Sequence, residues 1–190
     1  MARQEWLAKV TDELRGLFAA KGYTVPHQVR ASIGFASAGI RSRVIGECWS
    51  PVASSDQHAE IFLVPTMADP VVIVATLAHE LVHATVGNAA KHGKVFKACA
   101  LAIGLTGKMT ATTAGADLQA WIAAMLARVG DYPAGNLQAL SNGKKKQTTR
   151  MVKAVCVACG YTVRLSRKWI EDVGAPHCPA DGGMTIDGDD

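Results

Sequence analysis

The segment Pro70 to Gly87, PVVIVATLAHELVHATVG, is an apolar run whose only titratable residues are His79, Glu80 and His83. Asp69 before it can cap a helix, Pro70 suits a first helical turn, and Gly87 with Asn88 can end it. A helix apolar on nearly every side belongs in a core, where an unpartnered polar group costs ~2–7 kcal/mol on transfer scales. Ligation of a metal removes that penalty. At 3.6 residues per turn, His79 and His83 leave the same helix face and can reach one ion, with Glu80 beside that face. Zinc-dependent hydrolysis needs this set: imidazoles to hold a Lewis acid, an open position for water, and a carboxylate to take the water's proton. Short HExxH patterns also arise by chance, so the buried helical setting is what weighs for a metal.

A third protein ligand is required, and His92 answers it. The intervening ATVGNAAK contains the turn residues Gly87 and Asn88, which can fold the chain back, although Gly93 beside His92 is also compatible with a plain loop. Around this centre the pattern is α+β. Trp6, Leu7, Val10, Leu14, Leu17 and Phe18 recur at helical spacing before Gly22. Alternation over Val29–Phe35, with Arg43–Trp49 and Ala59–Val64, predicts a small antiparallel or mixed sheet. Further helices are expected over Lys94–Ile103, closed by Gly104, and through Leu118, Trp121, Ile122, Met125 and Val129 to Gly130.

The chain has 190 residues, 49% of them hydrophobic, enough for one core and a small appendage. Its formal charge of +4 favours polyanionic partners only mildly. The start, MARQEWLAKVTDELRGLF, mixes charge among its apolar residues and carries no signal-peptide core, and the run Val71–Ala78 falls short of the roughly 20 apolar residues a membrane helix needs. The expectation is a soluble, cytoplasmic protein with no membrane partner. Five cysteines, three of them between 156 and 178, fit a metal site better than a disulfide framework. Residues 131–149 change composition, ending near Lys144, Lys145 and Lys146, and predict an exposed basic linker between a domain over 1–130 and a smaller one over 150–190.

The stretch HELVHATVGNAAKHGKVFKACALAIGLTGKMT resembles the core of SprT-like, or Spartan-type, metalloprotease domains, which join HExxH to a later His-Gly and an F-K step, here His92, Gly93, Phe96 and Lys97. The distinctive part runs from Ala78 to Thr110. The resemblance implies a zincin-like domain, a catalytic zinc on His79, His83 and His92, and a base or acid role for Glu80. It further implies protein substrates attached to DNA and a C-terminal zinc ribbon.

Cys156 and Cys159, followed by Gly160, form a CxxC knuckle that can bind one tetrahedral zinc. Where a ribbon of this family would carry a second CxxC, the chain has Cys178 and Asp181. Asp181, His177 or water are the candidates for the fourth position of a second, structural zinc. A ribbon that has lost its metal, or a disulfide, is the alternative. Cys48 and Cys99 read as core packing. Arg150, Lys153, Arg164, Arg167 and Lys168 could meet phosphates, and Tyr161 and Trp169 could stack on bases, although acidic residues such as Glu171 and Asp172 offset the charge.

The first functional reading is a zinc metallopeptidase in which the strand Ala59–Val64 pairs with an extended protein or peptide substrate and Glu80 activates the water. The second is a nucleic-acid-associated zinc protein acting through its basic ribbon. Hydrolysis of a small amide is a third, since the same chemistry serves it. The stabiliser of the developing oxyanion is left between zinc, a backbone amide and a side chain such as Tyr23, and His27 and His58 have no assigned role.

Overall fold

The computed structural model describes residues 1–37, 39, 42–133, 135–138 and 151–187. It is an α+β protein in two compact units, Met1–Ala139 and Leu140–Asp190. The first unit therefore takes in residues 131–139, the start of the stretch expected to be linker: Tyr132 stacks edge-on against Trp6 at 5.2 Å, and the Leu137 N–H donates to the Pro65 carbonyl. Lys144–Lys146 and Arg150 lie outside the described residues.

Helix α1 (Arg3–Ala20) buries Trp6, Leu7, Val10, Leu14 and Phe18, the stripe that its 3.6-residue spacing puts on one face. The Trp6 indole N–H satisfies itself on the Gly130 carbonyl at 2.8 Å, which ties the helix to the far end of the first unit.

Strands β1 (Val29–Ile33), β2 (Gly46–Trp49) and β3 (Ala59–Leu63) form a mixed sheet in the order β1-β3-β2. β3 runs parallel to β1 and antiparallel to β2. Its alternation places Ala59, Ile61 and Leu63 in the core, while Glu60 lies on the other face with Arg30, which also pairs with Asp56 at 2.7 Å. Because β3 is flanked on both sides, its backbone cannot receive a substrate strand, and the expectation that Ala59–Val64 would do so is corrected. The strands that present an edge are β1 and β2, and β2 is shorter than the expected Arg43–Trp49.

Helix α2 (Pro70–Val86) is the apolar helix expected from the sequence to carry His79, Glu80 and His83. The Asp69 carboxylate accepts the Val71 N–H at 2.8 Å, and Pro70 occupies the first turn, where its missing N–H costs nothing. It ends at Gly87, whose φ of 83° suits a residue without Cβ. A 3₁₀ turn over Asn88–Ala90 reverses the chain into α3 (Lys94–Ala102). Next come the hairpin β4 (Leu105–Lys108) and β5 (Ala111–Ala114), not anticipated from the sequence, and α4 (Ala116–Val129). One core joins these elements, with Ile61, Leu77, Leu81, Phe96, Leu105 and Ile122 fully buried.

In the second unit, β6 (Met151–Val155), β7 (Thr162–Ser166) and β10 (Thr185–Asp187) make a sheet of order β10-β6-β7. Helix α5 (Arg167–Val173) follows β7, and β8 (His177–Cys178) pairs with β9 (Gly182–Gly183). The buried cluster is Ala154, Cys156, Cys178 and Met184, so half of it is cysteine. Val163, Leu165 and Ile186 pack against it, and an apolar core this small is of the kind that a bound metal, a disulfide or oligomerisation commonly supplements. No helix among the described residues is long and apolar enough to cross a membrane.

Candidate metal centre

Helical spacing brings His79 and His83 to one face of α2, and the reversal at Gly87 brings His92 opposite them. The His92 Nε2 lies 3.2 Å from the His83 Nε2 and 3.3 Å from the His79 Nε2. A tetrahedral zinc with Zn–N of about 2.0–2.1 Å holds its nitrogens about 3.3–3.4 Å apart, so these separations suit one ion without rearrangement. All three histidines are partly buried. Burial, and then the neighbouring imidazoles, push His79 and His83 down to about 4, which keeps both rings neutral and their lone pairs available near pH 7.

Two supporting residues were not singled out for these roles in the sequence. Phe96, completely buried on α3, packs its ring centroid 4.9, 4.5 and 4.8 Å from those of His79, His83 and His92. It is the floor against which all three imidazoles rest. Thr112, on β5, places its hydroxyl 2.8 Å from the His79 Nδ1. Phe96 stood in the sequence only as part of the F-K step, and no local pattern marks Thr112.

Glu80 is the one carboxylate among the buried polar residues, at 6% exposed. Burial, and secondarily the charge of Glu47, lifts its carboxyl to about 8. The β2–β3 register puts Gly46 and Cys48 on the same face as Leu63 and Ile61, toward α2. A Cβ on Gly46 would stand 2.7 Å from the Glu80 Oε1, so the bare backbone of β2 lies directly on this carboxylate. Cys48 is half-buried beside it, and burial followed by the Glu80 charge raises its thiol to about 12. Cys99 is fully buried in the core, as expected.

The Val64 N–H donates to the Ile45 carbonyl, so ladder alternation aims the backbone groups of Gly46 and Cys48 away from β3, to the open edge. There the Asn88 side-chain amide donates to the Cys48 carbonyl at 2.8 Å. Tyr23 packs on the core after α1, and no hydrogen bond among the described residues joins it to the histidines. His58 contacts Asp56 on the surface, apart from the triad.

The second unit assembles a second group that could hold a metal ion: Cys156, Cys159, Cys178 and Asp181. The Cys159 and Cys178 sulfurs are 3.5 Å apart, and the Asp181 Oδ2 is 3.6 Å from the Cys156 sulfur and 3.5 Å from that of Cys178. With Zn–S about 2.3 Å and Zn–O about 2.0–2.2 Å, a tetrahedral ion sets such sulfur–oxygen edges at about 3.5–3.7 Å. Of the candidates for the fourth position, Asp181 joins the cluster, whereas His177 is exposed and outside it. The cysteines are all free thiols, which removes the disulfide alternative here.

Family models, curated proteins and solved structures compared with the chain returned no match.

Proposed function

We propose that the first unit is a zincin-like metallopeptidase of the SprT-like kind, acting on proteins and most readily on those held at DNA. The observation that carries this reading is a largely buried carboxylate one residue from an imidazole triad whose nitrogens are spaced for one ion. A structural zinc site uses four protein ligands; three histidines leave a position open, the arrangement of catalytic zinc. Bound there, zinc supplies a Lewis acid and lowers the pKa of water to about 7. With an ion held by the three histidines, the Glu80 carboxyl, which burial otherwise holds neutral, would favour its ionised form and could serve as a base. Glu80 takes the proton of the attacking water and returns it to the departing amine.

The open edge of β2 supports a peptide rather than a small amide as substrate. Gly46 offers an N–H and a carbonyl directly beside Glu80, so an extended chain added to that edge is delivered to the base. Side-chain bulk on β2 is absent at the point of approach. Incubating the zinc-loaded chain with DNA-bound proteins, beside Glu80→Gln, tests the reading. Cleavage by wild type alone, with zinc retained by both, is the expected result; equal cleavage removes Glu80 from the mechanism.

A second reading, compatible with the first, is nucleic-acid contact by the second unit. Trp169 and Tyr161 are 54% and 48% exposed, and the Lys168 ammonium lies 5.5 Å from the Trp169 ring centroid. Exposed aromatic faces beside cations suit stacked bases and phosphates. Deleting residues 144–190 should abolish salt-dependent DNA binding, and an unchanged salt slope would assign it elsewhere.

A further inference from the structure

A neutral imidazole has one N–H, and a ring that ligates through Nε2 must carry that proton on Nδ1. The His79 Nε2 faces the His92 Nε2 at 3.3 Å, in the position of a ligand, while its Nδ1 meets the Thr112 hydroxyl at 2.8 Å. The opposite tautomer would turn a proton into the triad. We propose that Thr112 is a positioning residue of the metal centre: its hydroxyl accepts the His79 Nδ1–H and so holds the ring in the tautomer and plane that leave Nε2 bare for the ion.

The hairpin is built to keep that hydroxyl in place. Alternation along β5 turns Thr112 and Ala114 inward and Ala111 and Thr113 outward. Thr112 pairs with Gly107 across the ladder, and the Gly115 N–H closes the base of the hairpin on the Gly104 carbonyl at 2.9 Å. Neither His83 nor His92 has a side-chain or backbone acceptor at Nδ1 among the described residues, so Thr112 distinguishes His79 from its partners. Such outer contacts usually involve a carboxylate, a carbonyl or water, and a hydroxyl is a weaker acceptor that orients the ring without adding negative charge.

The inference rests on the metal-site reading, and its test separates the two. Zinc affinity is measured by competition with a chromophoric chelator for wild type, Thr112→Val and Thr112→Ser. Valine preserves shape and removes the acceptor, so zinc binding should weaken about 10–100-fold. Serine restores the hydroxyl and should restore the affinity, a rescue that a purely structural role would not require. Long-range proton–nitrogen spectra of the metal-free chain should show the Nδ1–H tautomer of His79 in wild type and a mixture in Thr112→Val. Wild-type affinity in Thr112→Val, or an Nε2–H tautomer in wild type, overturns the role of Thr112. A wild-type chain that shows the Nδ1–H tautomer yet takes up no zinc refutes the metal centre, and the role of Thr112 falls with it.

Discussion

Replacing Gly46 with alanine puts one methyl group at the junction of the edge strand and the Glu80 carboxylate. That methyl would lie 2.6 Å from the Thr76 Cγ2, 2.7 Å from the Glu80 Oε1 and 3.1 Å from the Glu80 Cγ. Relaxation to an ordinary 3.4 Å contact requires Oε1 to retreat by about 0.7 Å and the Thr76 methyl by about 0.8 Å. Thr76 cannot swing aside freely, because it is β-branched on a helix and its hydroxyl donates to the Val72 carbonyl at 2.8 Å. Overpacking of this kind costs about 1–3 kcal/mol, which in a unit of this size lowers the midpoint of thermal unfolding by about 4–10 °C. A base displaced by most of an ångström loses on the order of 100-fold in kcat. Urea and thermal unfolding of Gly46→Ala, its zinc content and its turnover of a cleavable protein give the three readings. Zinc should stay bound, since the histidines are untouched. Adding Thr76→Ser removes the methyl at 2.6 Å and should recover part of the stability, with a coupling above about 0.5 kcal/mol between the two sites. A Gly46→Ala protein as stable and as active as wild type would show that β2 does not press on Glu80, and the delivery of substrate along that strand would lose its basis.

Elemental analysis should find about two zinc ions per chain, falling to about one in His83→Ala and about one in Cys178→Ser, because the two ligand sets share no residue. Chelation should unfold the second unit first, monitored by Trp169 fluorescence, since cysteines make up half of its buried cluster. For the metal-free chain, Glu80 at about 8 against an ordinary 4.5 means the folded state keeps a proton that the unfolded chain releases between those values. Stability therefore falls as pH rises through that window, and Glu80→Gln, which cannot ionise, should overtake wild type by a few kcal/mol, of order 2–4, near pH 8 in urea unfolding. His79 and His83 act in the opposite sense: their contribution is present above pH 6.5 and is lost as pH falls toward 4, equally in both proteins.

The candidate metal helix was legible because its conflict is local: three titratable groups inside an apolar 3.6-residue pattern, capped by Asp69 and ended by Gly87, need no knowledge of distant contacts. His92 was legible as a candidate, since a turn lies between it and His83, but only the 3₁₀ reversal over Asn88–Ala90 sets its Nε2 against the other two. The CxxC knuckle is likewise a local signal, whereas the choice of Asp181 over His177 depended on how β8 turns into β9. Strand order was not legible at all. Alternation in Ala59–Val64 marks a strand, and the same alternation fits a central strand or an edge, because pairing is decided by which residues distant in sequence come alongside. Thr112, Phe96 and Gly46 reach the centre from a hairpin, a second helix and a strand, 33 residues separating Thr112 from His79. Periodicity determines which face of each element is apolar; which side chains then meet across those faces is settled only by tertiary packing.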